Sequence, residues 1–94
     1  MNMIITNEAR DELKKMFEEE NAKNIRIFAN GFGWGQPRFG LTLDEPEAND
    51  RIFTINDIKV AIDPFIQPDT EYLILDRSGN GKGISIVDNT GACC

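Results

Sequence analysis

The sequence predicts an α+β domain: a compact, mainly antiparallel β-sandwich or flattened barrel capped by an N-terminal helix. Three observations predict it. Ala9, Leu13, Met16 and Phe17 form one helical stripe near the start of the chain. About six short segments rich in Ile, Val, Leu and Phe follow. The connections between them are short and rich in Gly, Pro, Asn and Asp, which favours antiparallel neighbours.

After an apolar lead, Met3-Ile4-Ile5, Thr6 occupies an N-cap position with Glu8, Asp11 and Glu12 in the first turns. A helix is expected from 7 to 20, with Lys14, Lys15, Glu18, Glu19 and Glu20 on its solvated face. The first strand runs through Ile25-Arg26-Ile27-Phe28. Phe39, Leu41 and Leu43 alternate with Gly40, Thr42 and Asp44 as a half-buried second strand. Asp44 to Asp50 is acidic and interrupted by Pro46. It reads as a solvated loop, because it lacks the spacing and turn glycine of a calcium loop.

Arg51–Ile55 and Ile58–Ile62 are strands joined at Asn56-Asp57, a type I′ hairpin turn whose residues must both adopt positive φ. Pro64 and Pro68 bracket an irregular segment with one helical turn. Tyr72–Leu75 and Ile84–Val87 are the last strands, separated by the turn Ser78–Gly83. The expected core is Leu13, Met16, Phe17, Ile27, Leu41, Leu43, Val60, Ile62, Leu73, Leu75 and Ile84. The whole of 1–94 reads as a single domain, and 88–94 as a flexible tail carrying both cysteines.

Composition narrows the function. The net charge of −6 argues against nucleic acid and against an anionic membrane surface, both of which call for clustered Lys and Arg. No apolar run approaches the roughly 20 residues of a membrane span, so a cytoplasmic location is expected. With no histidine, the commonest general base and metal ligand is missing, and no Ser-His or Cys-His pair exists. No enzymatic activity is expected. The only cysteines are the adjacent Cys93 and Cys94. A disulfide between neighbours closes almost no loop and stabilises little.

The segment Gly31–Gly40 holds four of the eight glycines and the one tryptophan, Trp34. It reads either as a hairpin connection or as a ligand-binding loop between two strands. A phosphate cradle does not fit, since no helix opens after it.

In order along the chain stand Ile5-Thr6 and Ala9 at the helix start, the Gly-rich loop, and Leu41-Thr42-Leu43-Asp44-Glu45-Pro46. Then come a hairpin ending in Ile62-Asp63, a Gly-rich turn, and C-terminal cysteines. This order resembles the HesB-like family, the A-type iron–sulfur cluster carriers, from Ile5 to Cys94. The resemblance implies the same helix-capped β fold. It also implies iron or an Fe-S cluster, held by cysteine thiolates and passed to apo-proteins or an assembly scaffold, and a homodimer as one way to gather enough ligands. Soft thiolates suit such cargo.

The family uses one loop cysteine and two near the C-terminus, usually as Cys-Gly-Cys. By position, Cys93 and Cys94 stand for the C-terminal pair, without the intervening glycine, and Trp34 falls on the loop cysteine. Indole donates a hydrogen bond and cannot ligate iron, so cargo binding is weakened. Some HesB-like proteins carry selenocysteine at the loop position, encoded by UGA, one base from the Trp codon UGG. Two other functions therefore stand beside the carrier: a thiol or selenol redox protein with residue 34 as reactive centre, and a structural or interaction module that keeps only the fold.

Overall fold

The computed structural model describes residues 2–33, 36–79 and 83–88. The order of elements is β1 (Ile4–Ile5), α1 (Asn7–Glu20), β2 (Ile25–Gly33), β3 (Gln36–Thr42), β4 (Arg51–Ile55), β5 (Ile58–Ile62), α2 (Gln67–Thr70), β6 (Leu73–Arg77) and β7 (Ile84–Asp88). They form two sheets, one ordered β1-β6-β7 and the other β3-β2-β5-β4. The fold is α+β and dominated by sheet. Of the expected sandwich or flattened barrel, two sheets are present, with no closed barrel among the described residues.

The helix forms where capping and periodicity place it. Thr6 has extended backbone, and its Oγ1 accepts the Ala9 N–H at 3.1 Å, satisfying one of the otherwise unpaired first-turn donors. Asn21 ends the helix in the left-handed region, φ 54°, with its N–H donated to the Phe17 carbonyl. Ala9 and Leu13 are buried, and Met16 and Phe17 pack half-buried at the rim of the core.

Three strand pairings are antiparallel: β2–β3, β4–β5 and β6–β7. Two are parallel, β1–β6 and β2–β5, and these join segments far apart in sequence. The lead at Ile4-Ile5 is thus a strand in its own right, pairing with Ile74 and Leu75. Two residues carry no strand periodicity to read. The Asn56-Asp57 turn has φ of 47° and 69°, as a type I′ hairpin requires. Across β6–β7 the Ser78 N–H donates to the Gly83 carbonyl at 3.0 Å, and Gly83 takes φ 79°.

The core lies between the helix and the inner faces of both sheets. Leu13, Ile27, Val60, Ile62, Leu73 and Leu75 are buried as expected. Leu41, Leu43 and Ile84 are half-buried instead, because they pack around the edge of the cluster. Met3, Ile5, Ala9, Ile25, Ile58, Ala61 and Ile66 join the interior, and Thr70 is buried with its hydroxyl donated to the Gln67 carbonyl. Asp88, expected to open the tail, is the last residue of β7 and pairs with Leu73.

Candidate metal-binding site

The glycine-rich stretch is mostly ladder. Gly33 pairs with Gln36 and Phe32 with Pro37, and the register shifts between Ala29 and Phe32. Such a shift inserts extra backbone into one strand and increases its local twist. The described strands therefore reach to either side of Trp34-Gly35, more closely than the sequence pattern indicates. Farther back on the same hairpin, Phe28 pairs with Gly40. A Cβ on Gly40 would stand 2.5 Å from Cζ of the Phe28 ring, so the tip of the ring occupies the space a side chain there would need.

Trp34 lies between the paired Gly33 and Gln36, outside the described residues. Cys93 and Cys94 lie beyond Asp88, also outside them. The described residues end short of these positions in two places. One is the β2–β3 end of the four-stranded sheet, and the other is the end of β7 in the three-stranded sheet. Among the described residues, no group of three or more Asp, Glu, Cys or His side chains converges as a metal site.

The acidic loop is not wholly solvated. Arg26 on β2 donates through Nε to Asp50 Oδ2 at 2.6 Å and through Nη2 to Oδ1 at 3.2 Å. Its Nη2 also lies 2.9 Å from Glu47 Oε2. The Glu47 N–H donates to Asp50 Oδ2 at 2.9 Å. The Asp50 side chain is 1% exposed and that of Arg26 15%. Burial alone pushes the Asp50 carboxyl upward. The Arg26 hydrogen bonds, the Glu47 amide and the guanidinium charge outweigh it and hold the carboxyl below its ordinary range. Hydrogen bonding to Asp50 likewise raises the Arg26 guanidinium, against its own desolvation. This arrangement occupies Asp50 with donors, so the loop is a clamp on β2 and not a cation cage. Sequence reasoning missed it because Arg26 and Asp50 are brought together only by the fold.

An open groove of about 1400 Å³ runs between the second half of α1 and the end of β3, bordered by Lys15, Met16, Glu19, Leu43 and Asp44. Its charges are of both signs. Beneath it the Asn24 amide donates to the carbonyls of Ile25 and Asp44, both at 3.1 Å.

No family model matches the chain. A protein from Aquifex aeolicus (strain VF5) is 33% identical to it, over 95% of this chain and 83% of that protein. A solution NMR structure of a protein from Aquifex aeolicus superposes with a TM-score of 0.64 at 29% identity, covering 93% of this chain and 91% of that one. A crystal structure of IscA with a [2Fe-2S] cluster gives a TM-score of 0.72 at 20% identity, covering 92% and 84%. The IscA likeness establishes the fold. At 33% identity over nearly its whole length, the chain belongs to the same family as the Aquifex aeolicus protein.

Proposed function

We propose that the chain is a non-catalytic carrier of iron or an iron–sulfur cluster, which it passes to apo-proteins or takes from an assembly scaffold. The observation that carries this reading is the likeness, over 92% of the chain, to the fold of an IscA that holds a [2Fe-2S] cluster. The order of motifs along the sequence supports it independently. Cys93 and Cys94 are the chain's two cysteines, and by the HesB-like resemblance they stand for two of the cargo's ligands and residue 34 for the third.

Transfer in this reading is ligand exchange. Each Fe–S bond to a cysteine of this chain that breaks is replaced by one to an acceptor cysteine. The acceptor thiol gives up its proton as it binds, the released thiolate takes one up, and no electron changes hands. With Trp34 in place, one chain supplies two thiolates, so binding is weak and favours association of chains.

The test is anaerobic reconstitution with iron and sulfide of the wild type, Trp34→Cys, Trp34→Phe and the double variant Cys93→Ser/Cys94→Ser. Iron and sulfide per chain should rise in Trp34→Cys, stay unchanged in Trp34→Phe and vanish in the double variant. Equal loading of all four would remove these residues from any metal site and leave the fold as an interaction module.

A further inference from the structure

The groove between α1 and the end of β3 has tied walls and an apolar floor. Met16 on the helix and Leu43, just past β3, line it half-buried. The buried Asn24 amide, bonded to the Ile25 and Asp44 carbonyls, joins the segment after α1 to the segment after β3. The two walls are thereby held against each other.

The rim carries uncompensated charge. Glu12, Glu19 and Glu20 border the groove from the helix, and Asp44 and Glu45 from the facing wall. Against these five carboxylates stand two ammonium groups, Lys15 and Lys23. Among the described residues none of the five is in an ion pair; the four pairs present use Asp11, Glu47, Asp50 and Asp57. The helix adds to the same sign. Its C-terminus is the negative end of the backbone dipole, where cationic side chains are favoured. α1 instead ends on Glu18, Glu19 and Glu20, with no basic residue in its last turn. Dipole and carboxylates together set one negative potential beside the apolar floor, where the helix alone would be better served by cations.

We propose that this groove docks a basic segment of a partner polypeptide, its Lys or Arg side chains on the carboxylate rim and an apolar side chain on Met16 and Leu43. Charge complementarity selects the occupant. Nucleic acid and anionic lipid carry the wrong sign. A second copy of the chain, itself at −6, is repelled. No three acidic side chains converge among the described residues, so the charge suits cations spaced along a chain and not one metal ion. At about 1400 Å³ the groove exceeds the roughly 300–1,000 Å³ of a small-molecule pocket. Its floor calls for an apolar side chain, which a free polyamine lacks. The carrier reading is not needed here. The groove meets β3 at Thr42, and Gln36 lies about 20 Å away at the other end of that strand.

The experiment is fluorescence anisotropy of a labelled peptide of about 12 residues, built of alternating lysine and leucine pairs, titrated with the intact chain. The same peptide with serine for leucine is the second probe, and spermine the competitor. The lysine–leucine peptide should bind at least about tenfold tighter than the lysine–serine one, weaken with salt, and resist displacement by spermine. Glu19→Lys should raise its dissociation constant about tenfold, with Tm unchanged or higher, because a cation then stands at the helix C-terminus. Asp69→Lys makes the same change in net charge outside the groove and should leave binding within about twofold. Amide shifts on binding should centre on Met16, Glu19, Asn24 and Leu43. Absence of binding overturns the proposal, as does equal affinity for the lysine–serine peptide or displacement by spermine at equal concentration. Equal weakening by Glu19→Lys and Asp69→Lys overturns it too, since only diffuse attraction to an acidic protein would then remain.

Discussion

Arg26 and Asp50 show what a single pair contributes to this fold. The pair ties the acidic loop to β2 through two donors from one guanidinium. Because the folded-state value of Asp50 lies below its unfolded one, its contribution is full above the unfolded carboxylate value of about 4. It is lost as pH falls from there through the folded value. Chemical denaturation at a series of pH values should show this loss below about pH 4 in the wild type, and Asp50→Asn should remove that share of the acid dependence. Arg26→Met leaves a buried carboxylate with only its backbone donor, and should cost about 3 kcal/mol at neutral pH. If Asp50→Asn keeps the wild-type acid profile, the depressed value belongs to another group.

Among the elements, the β4–β5 hairpin is tied into the fold by its turn. Asn56 donates through Nδ2 to the Ile5 carbonyl at 2.8 Å and to Asn7 Oδ1 at 3.0 Å. Its Oδ1 accepts from Arg10 at 3.3 Å, and beside it Lys14 donates to Asp57 Oδ2 at 2.6 Å. The turn thus docks the four-stranded sheet on β1 and on the start of α1. Asn56→Ala removes both the tolerance for positive φ and the side-chain bonds to β1 and α1, and should cost about 2–3 kcal/mol by denaturant titration. Asp57→Gly loses only an exposed ion pair and relaxes the backbone, so it should change stability little. Equal losses in the two variants would mean that the side chain of Asn56 is not the anchor.

This element also marks where sequence reading succeeds. Thr6, the helix over 7–20 and the I′ turn are local features, determined by neighbours within a few residues, and all were legible. β1 was not, because its two residues acquire strand geometry only from Ile74 and Leu75. The burial of Ile25 and Ala61 depends on the parallel β2–β5 pairing, which no local pattern announces. Asp50 looked solvated because its partner lies on another element. For the candidate site, the ordered motifs nominate Trp34, Cys93 and Cys94, which all lie outside the described residues. Convergence of residues so far apart in the chain is a tertiary property that spacing alone does not contain.

At the scale of the whole molecule, the two sheets share one core, and among the described residues no strand of one pairs with a strand of the other. Their coupling therefore runs through side chains, chiefly Leu13 and Ala9 of the helix with Leu73 and Leu75 on one sheet and Ile27, Val60 and Ile62 on the other. Packing of this kind makes unfolding cooperative, since removing either sheet exposes the apolar face of its neighbour to water. Leu75→Ala should then cost about 2–5 kcal/mol through the cavity it leaves. Leu41→Ala, at a half-buried position on the rim, should cost less. Native-state hydrogen exchange checks the coupling directly. In Leu75→Ala the amides of Ile27 and Val60, on the other sheet, should lose the same opening free energy as those of β6. Loss confined to β6 and β7 would mean that the three-stranded sheet opens as a separate unit. β7 would then be free to move relative to the β2–β3 hairpin.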